Sequence, residues 1–193
     1  MLVRKMFLRK LESYLRRYEH AIKYCALTIA ALFALTQYFD YLKEGRVNRS
    51  LELYKKYSSE PLYGYRLTLI EAWEKFWPKI NSENPDLLVK PTTPEQAAVQ
   101  KERWMKVSTK FISDQNIEGP TIEIIDFLNA SQICIENRVC DKDTLTGLIG
   151  LTAKDLIENN CSFIGYIRES RRDLDFAEKA LLFVNNRCNP EMS

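Results

Sequence analysis

Residues 24–39, YCALTIAALFALTQYF, run for sixteen positions without a charged side chain. A helix needs about 20 apolar residues to cross the hydrocarbon core of a bilayer. Adding Ala21, Ile22, Tyr41 and Leu42, with Lys23 and Asp40 reaching toward the interfaces, brings this run to about one span. Tyr18 and Tyr24 at one end, and Tyr38, Phe39 and Tyr41 at the other, supply the aromatic residues favoured where headgroups meet tails. A long charged stretch before the run, with no small-x-small site after it, argues against a cleavable signal peptide. The competing reading is a buried core helix, because Thr28, Thr36 and Gln37 dilute the apolar character. The expectation is one transmembrane helix over 24–42.

The flank before it is basic. Residues 1–23 hold Arg4, Lys5, Arg9, Lys10, Arg16, Arg17 and Lys23 against Glu12 and Glu19, a net of +5 within a chain of net +2. Val3, Phe7, Leu11, Tyr14, Tyr18 and Ile22 recur at steps of three and four, which defines one face of a helix. A basic amphipathic helix of this kind lies on membrane surfaces, so Arg4, Lys5, Arg9, Lys10, Arg16 and Arg17 are the expected contacts to anionic lipid. The alternative is a solvated helix packed on the body. The remaining residues carry a net of −3, and the chain as a whole shows no bias toward nucleic acid.

Sidedness can be read two ways. The seven bases before the span outnumber the five (Lys43, Arg46, Arg49, Lys55, Lys56) in residues 40–60, which leans toward a cytoplasmic N-terminus. Cys134, Cys140, Cys161 and Cys188 show no compact framework, which suits free, buried thiols in a reducing compartment. If the body faced outward, the same four could form two disulfides.

Residues 45–193 read as a helical body. Asn48 or Ser50 is a candidate cap for a helix to Tyr57, and Pro61 opens another carrying Leu62, Tyr65, Leu69, Trp73 and Phe76, which Pro78 should end or kink. Residues 81–94 hold three prolines and read as a loop. Thr93-Pro94-Glu95-Gln96 is a strong helix start, and the helix it opens stops before Glu118-Gly119-Pro120. Further helices are expected from Thr121, from Asp141 or Asp143, through Phe163–Ile167, and through Leu174, Ala177, Leu181 and Val184. No hairpin signal or sustained alternation occurs. The fold class is therefore all-α, an irregular helical bundle behind a long N-terminal amphipathic and transmembrane helix.

Chemistry is sparse. A single His, His20, excludes multi-His metal sites and has no nucleophile near it in sequence. Cys134 and Cys140 have neither redox nor zinc spacing. Residues 146–150, TGLIG, lack the Lys-Ser/Thr of a phosphate loop, and their glycines suggest close helix packing. The acid pairs Glu71/Glu74 and Glu123/Asp126 fit solvated faces, and Trp73, Trp77 and Trp104 fall on apolar stripes. No catalytic residue, metal or cofactor is expected.

Three stretches resemble a bacterial family of membrane proteins of unknown function: residues 47–61, VNRSLELYKKYSSEP; residues 124–150, IIDFLNASQICIENRVCDKDTLTGLIG; and residues 159–171, NNCSFIGYIRESR. The chain departs from that family's pattern at Asn129, where a Glu is usual. The resemblance implies one N-terminal membrane helix, an all-helical body in the cytoplasm, and an address in the inner (cytoplasmic) membrane. Some members resemble phage abortive-infection proteins. The expected function is an adaptor, accessory subunit or defence component that works through a protein partner or self-association, without catalysis. A membrane-tethered small-ligand sensor is the alternative, followed by an unrecognised enzyme. Phe127, Asn129, Arg168, Arg171 and Arg172 are the candidate contact surface.

Overall fold

The computed structural model describes residues 2–185 and Cys188; the side chains of residues 2–17, His20 and Arg171 lie outside the description. Among the described residues every long element is an α-helix: α1 (Leu2–Tyr57), α2 (Leu62–Glu83), α3 (Pro94–Asp114), α4 (Glu118–Glu136), α5 (Lys142–Asn159), α6 (Cys161–Arg171) and α7 (Glu178–Phe183). The chain divides into two units, residues 1–45 and 46–193.

The first unit is the N-terminal part of α1. The helix continues through Gly45 to Tyr57, so neither Asn48 nor Ser50 starts a new one. Ser50 is instead fully buried in the second unit, where its hydroxyl reaches the carbonyls of Arg46 and Asp141, each at 3.1 Å.

In the second unit, α2 owes its position to Leu62, Leu69, Ala72, Trp73, Phe76 and Ile80, all buried on one face at helical spacing. Pro78 does not end it. Phe76 and Ile80, each 1% exposed, flank the proline and hold the helix in the core to Glu83. The proline-rich loop then makes a short 3-10 turn, Pro85–Leu88, that buries Leu87. Gln100 of α3 donates to the carbonyls of Leu87 at 2.7 Å and Val89 at 2.8 Å, pinning this loop from across.

Thr93 caps α3 as its sequence requires, accepting from Gln96 N–H at 3.2 Å, while Pro94 fills the first helical position. Helix α4 begins three residues earlier than expected, at Glu118. Gly119 and Pro120 sit in the first turn, where the missing proline N–H has no helical acceptor to lose. Asp141 caps α5 by accepting from Thr144 N–H at 2.9 Å. Asn160, 2% exposed, interrupts the chain between α5 and α6, and its amide donates to the Leu156 carbonyl at 2.7 Å. After α6 the chain turns at Arg172 and again at Ala177, both left-handed, and α7 follows. Leu174, expected in this last helix, lies in the preceding turn and is exposed.

One core joins these helices. An aromatic group links α2 to α3: Phe76 lies 4.6 Å from Phe111, 4.9 Å from Trp73 and 5.9 Å from Trp104, centroid to centroid. Trp77 forms its exposed edge. Helix α4 packs against α2, α5 and α7, and α3 packs against α6.

Candidate functional site

The apolar run of α1 is long and apolar enough to cross a membrane, and none of it is buried inside the protein. Tyr24, Leu27, Ile29, Phe33 and Phe39 are each more than 60% exposed. An α-helix over 24–42 rises about 28 Å, close to the thickness of a bilayer's hydrocarbon core. The threonines that dilute its apolar character are internally satisfied: Thr28 donates to the Tyr24 carbonyl and Thr36 to the Phe33 carbonyl, each at 2.8 Å. At the N-terminal border Lys23 pairs with Glu19 at 2.7 Å. The expected lipid-contacting bases Arg4, Lys5, Arg9, Lys10, Arg16 and Arg17 lie outside the described side chains, as does His20.

The cysteines differ from the expectation of free thiols. Cys134 is bonded to Cys140 and Cys161 to Cys188, with Cα separations of 5.3 and 5.1 Å, leaving Cys25 as the free cysteine among the described residues. The first pairing follows from how α4 ends. Arg138 takes a left-handed conformation, and the N–H groups of Val139 and Cys140 both donate to the Cys134 carbonyl, at 3.0 and 3.1 Å. That reversal returns Cys140 over Cys134, so a six-residue separation closes. The second pairing joins the first residue of α6 to the segment beyond α7.

The candidate contact surface is not brought together as a surface. Phe127 is 7% exposed and stacks on Tyr57 at 5.3 Å, inside the core. Asn129 accepts from Ala180 N–H at 2.8 Å and so holds the start of α7 against α4. Arg168 donates through Nε to the Phe176 carbonyl at 2.9 Å and fixes the turn before α7. Arg172 ends α6 in a left-handed conformation, and Arg171 lies outside the described side chains. Phe127, Asn129 and Arg168 are consumed by internal packing because two of the three are polar groups that α7 and its turn need as partners.

The remaining sequence candidates are placed as follows. A Cβ built at Gly147 meets nothing and one at Gly150 meets only Thr146 of its own helix, so these glycines do not mark close helix packing. Glu71, Glu74, Glu123 and Asp126 are exposed. Partial desolvation, with Glu123 beside it, raises the Asp126 carboxyl above the usual range. Lys179 bridges from α7 to Glu136 of α4 at 2.8 Å, which lowers the Glu136 carboxyl and raises the Lys179 ammonium. Among the described residues no three His, Cys, Asp or Glu side chains cluster as metal ligands.

One arrangement has no signal in the sequence. Where α1 turns into α2, the Arg66 guanidinium lies 4.1 Å above the ring of buried Tyr57 and 5.5 Å from that of Tyr63. Burial raises the Tyr57 phenol pKa, and the neighbouring guanidinium draws it partly back. No family model, curated protein or solved structure matches this chain.

Proposed function

We propose that the protein is a single-pass membrane-anchored helical protein that works through protein–protein contact, with its N-terminus in the cytoplasm and its body on the opposite, oxidising side. The observation that carries the anchor is the apolar run of α1, whose large side chains are exposed along its length. An apolar helix surface of that extent requires lipid or protein around it.

Two independent features support the sidedness. Basic residues are more numerous before the span than just after it, the asymmetry that retains an N-terminus in the cytoplasm. The two disulfides belong to a compartment where thiols oxidise and stay oxidised. This reverses both the cytoplasmic body implied by the family resemblance and the separate reading of the four cysteines as free thiols, which had agreed with it.

A contact role is supported by apolar side chains that the body leaves in solvent. Leu148 and Leu151 stand one turn apart on α5, Ile133 lies near the end of α4, and Val139 lies in the turn between the two helices. Alkaline carbonate extraction of membranes, followed by cross-linking of the full chain in place, tests the reading. Retention in the pellet with a discrete cross-linked species is expected. Release into the supernatant removes the anchor, and a chain that cross-links to nothing removes the contact role.

A further inference from the structure

Gln37 sits inside the apolar run of α1, about 6 Å along the helix from the centre of 24–42. It differs there from the threonines. Thr28 and Thr36 donate to carbonyls of their own helix, whereas the exposed Gln37 amide makes no hydrogen bond among the described residues. An amide without a partner in hydrocarbon is costly, because no water is there to replace one.

Gln37 shares a face of α1 with a shallow groove. Ala26, Ala30 and Ala34, at steps of four, floor it beside Ile29 and Phe33, each 65% exposed, and Gln37 is the next residue on the Ile29–Phe33 row. Small side chains in such a row let two helix backbones approach closely in a bilayer, where packing and polar contacts drive association. No charged residue lies between 24 and 39, so no like charges oppose that approach.

The amide selects what fills the groove. It carries both donors and an acceptor, so two such groups satisfy each other. All copies of the chain insert in one direction. A two-fold pair of parallel copies therefore presents Gln37 to Gln37 at a single depth, with the same face used by both.

We propose that α1 pairs with α1 of a second copy through the groove of Ala26, Ala30 and Ala34, the two Gln37 amides hydrogen-bonding to each other. This pairing rests on the membrane anchor proposed above and names the partner for the contact role.

Disulfide cross-linking in membranes of cells producing the full chain tests it. In a Cys25→Ala background, Ala30→Cys puts a thiol on the proposed face, and Leu32→Cys puts one about 200° around the helix. Mild oxidation should join Ala30→Cys chains into a species of twice the chain mass and leave Leu32→Cys chains single. The Cys25→Ala background alone controls for the remaining cysteines. At low expression, Gln37→Leu should cut the Ala30→Cys product about three- to tenfold, and Gln37→Asn, which keeps an amide, should restore it in part. Carbonate extraction of the same membranes separates the two readings. Where the chains resist carbonate, equal cross-linking at the two positions, or none at either, overturns the pairing and leaves the anchor standing. An Ala30→Cys product of another mass also overturns it, by giving the face to a different protein. A product unchanged by Gln37→Leu overturns the amide contact. Chains that carbonate releases remove the anchor, and the pairing with it.

Discussion

Ser50 and Asp141, 91 residues apart, exchange hydrogen bonds in both directions: the Ser50 hydroxyl reaches the Asp141 carbonyl at 3.1 Å, and the Asp141 N–H donates back to the Ser50 oxygen at 2.9 Å. Asp141 is also the residue that caps α5. The C-terminal turns of α1 are thereby clamped to the start of a helix deep in the body, immediately after the Cys134–Cys140 disulfide.

Replacing Ser50 with Ala removes this partner from the Asp141 N–H and carbonyl in a part-buried setting, where the N–H keeps only the Arg46 carbonyl at 3.4 Å. A loss of about 1–3 kcal/mol in unfolding free energy is expected. Denaturant titration of the full chain in detergent measures it, and an unchanged midpoint would contradict the clamp.

Phe76 touches Trp73, Trp77, Trp104 and Phe111 and is 1% exposed. Phe76→Ala should cost about 3–5 kcal/mol through lost burial and the cavity it leaves. Tryptophan fluorescence should shift to the red as the aromatic group opens.

Closing a loop of 27 residues, the Cys161–Cys188 bond should contribute about 3.5 kcal/mol by restricting the unfolded chain, and the Cys134–Cys140 bond, closing six, about 2 kcal/mol. The paired serine variants should therefore rank in that order in a thermal melt. Thiol titration of the unreduced, denatured chain should find one reactive cysteine, Cys25.

Asp126 holds its proton more tightly in the folded protein than in the unfolded chain. Between the ordinary Asp pKa and the raised one, the native state therefore binds more protons, and stability falls as pH rises through that window. Asp126→Asn should flatten this decline and make the protein more stable at neutral pH. Melts of the parent and the variant across the acid range check both the sign and its removal.

Much of the architecture is legible in the residues themselves. Thr93-Pro94 and Asp141 announce their helices by capping chemistry that needs no distant partner. The helix long and apolar enough to cross a membrane shows itself as an uninterrupted apolar run. What escapes sequence reading depends on partners far along the chain. Pro78 stays helical because core contacts at Phe76 and Ile80 outweigh the lost hydrogen bond. Asn129 and Arg168 resemble surface recognition groups until Ala180 and the Phe176 carbonyl arrive to use them. The Cys134–Cys140 pairing depends on one left-handed residue, Arg138, that no spacing rule specifies. Tyr57 and Arg66, nine residues apart, meet across the short link between α1 and α2.

Protease protection of a C-terminal tag in spheroplasts of cells producing the full chain tests the central claim most directly. An anchored chain with its body on the oxidising side loses the tag to external protease while an N-terminal tag survives. A C-terminal tag that survives until the membrane is permeabilised would place the body in the cytoplasm and contradict the sidedness argued from the two disulfides.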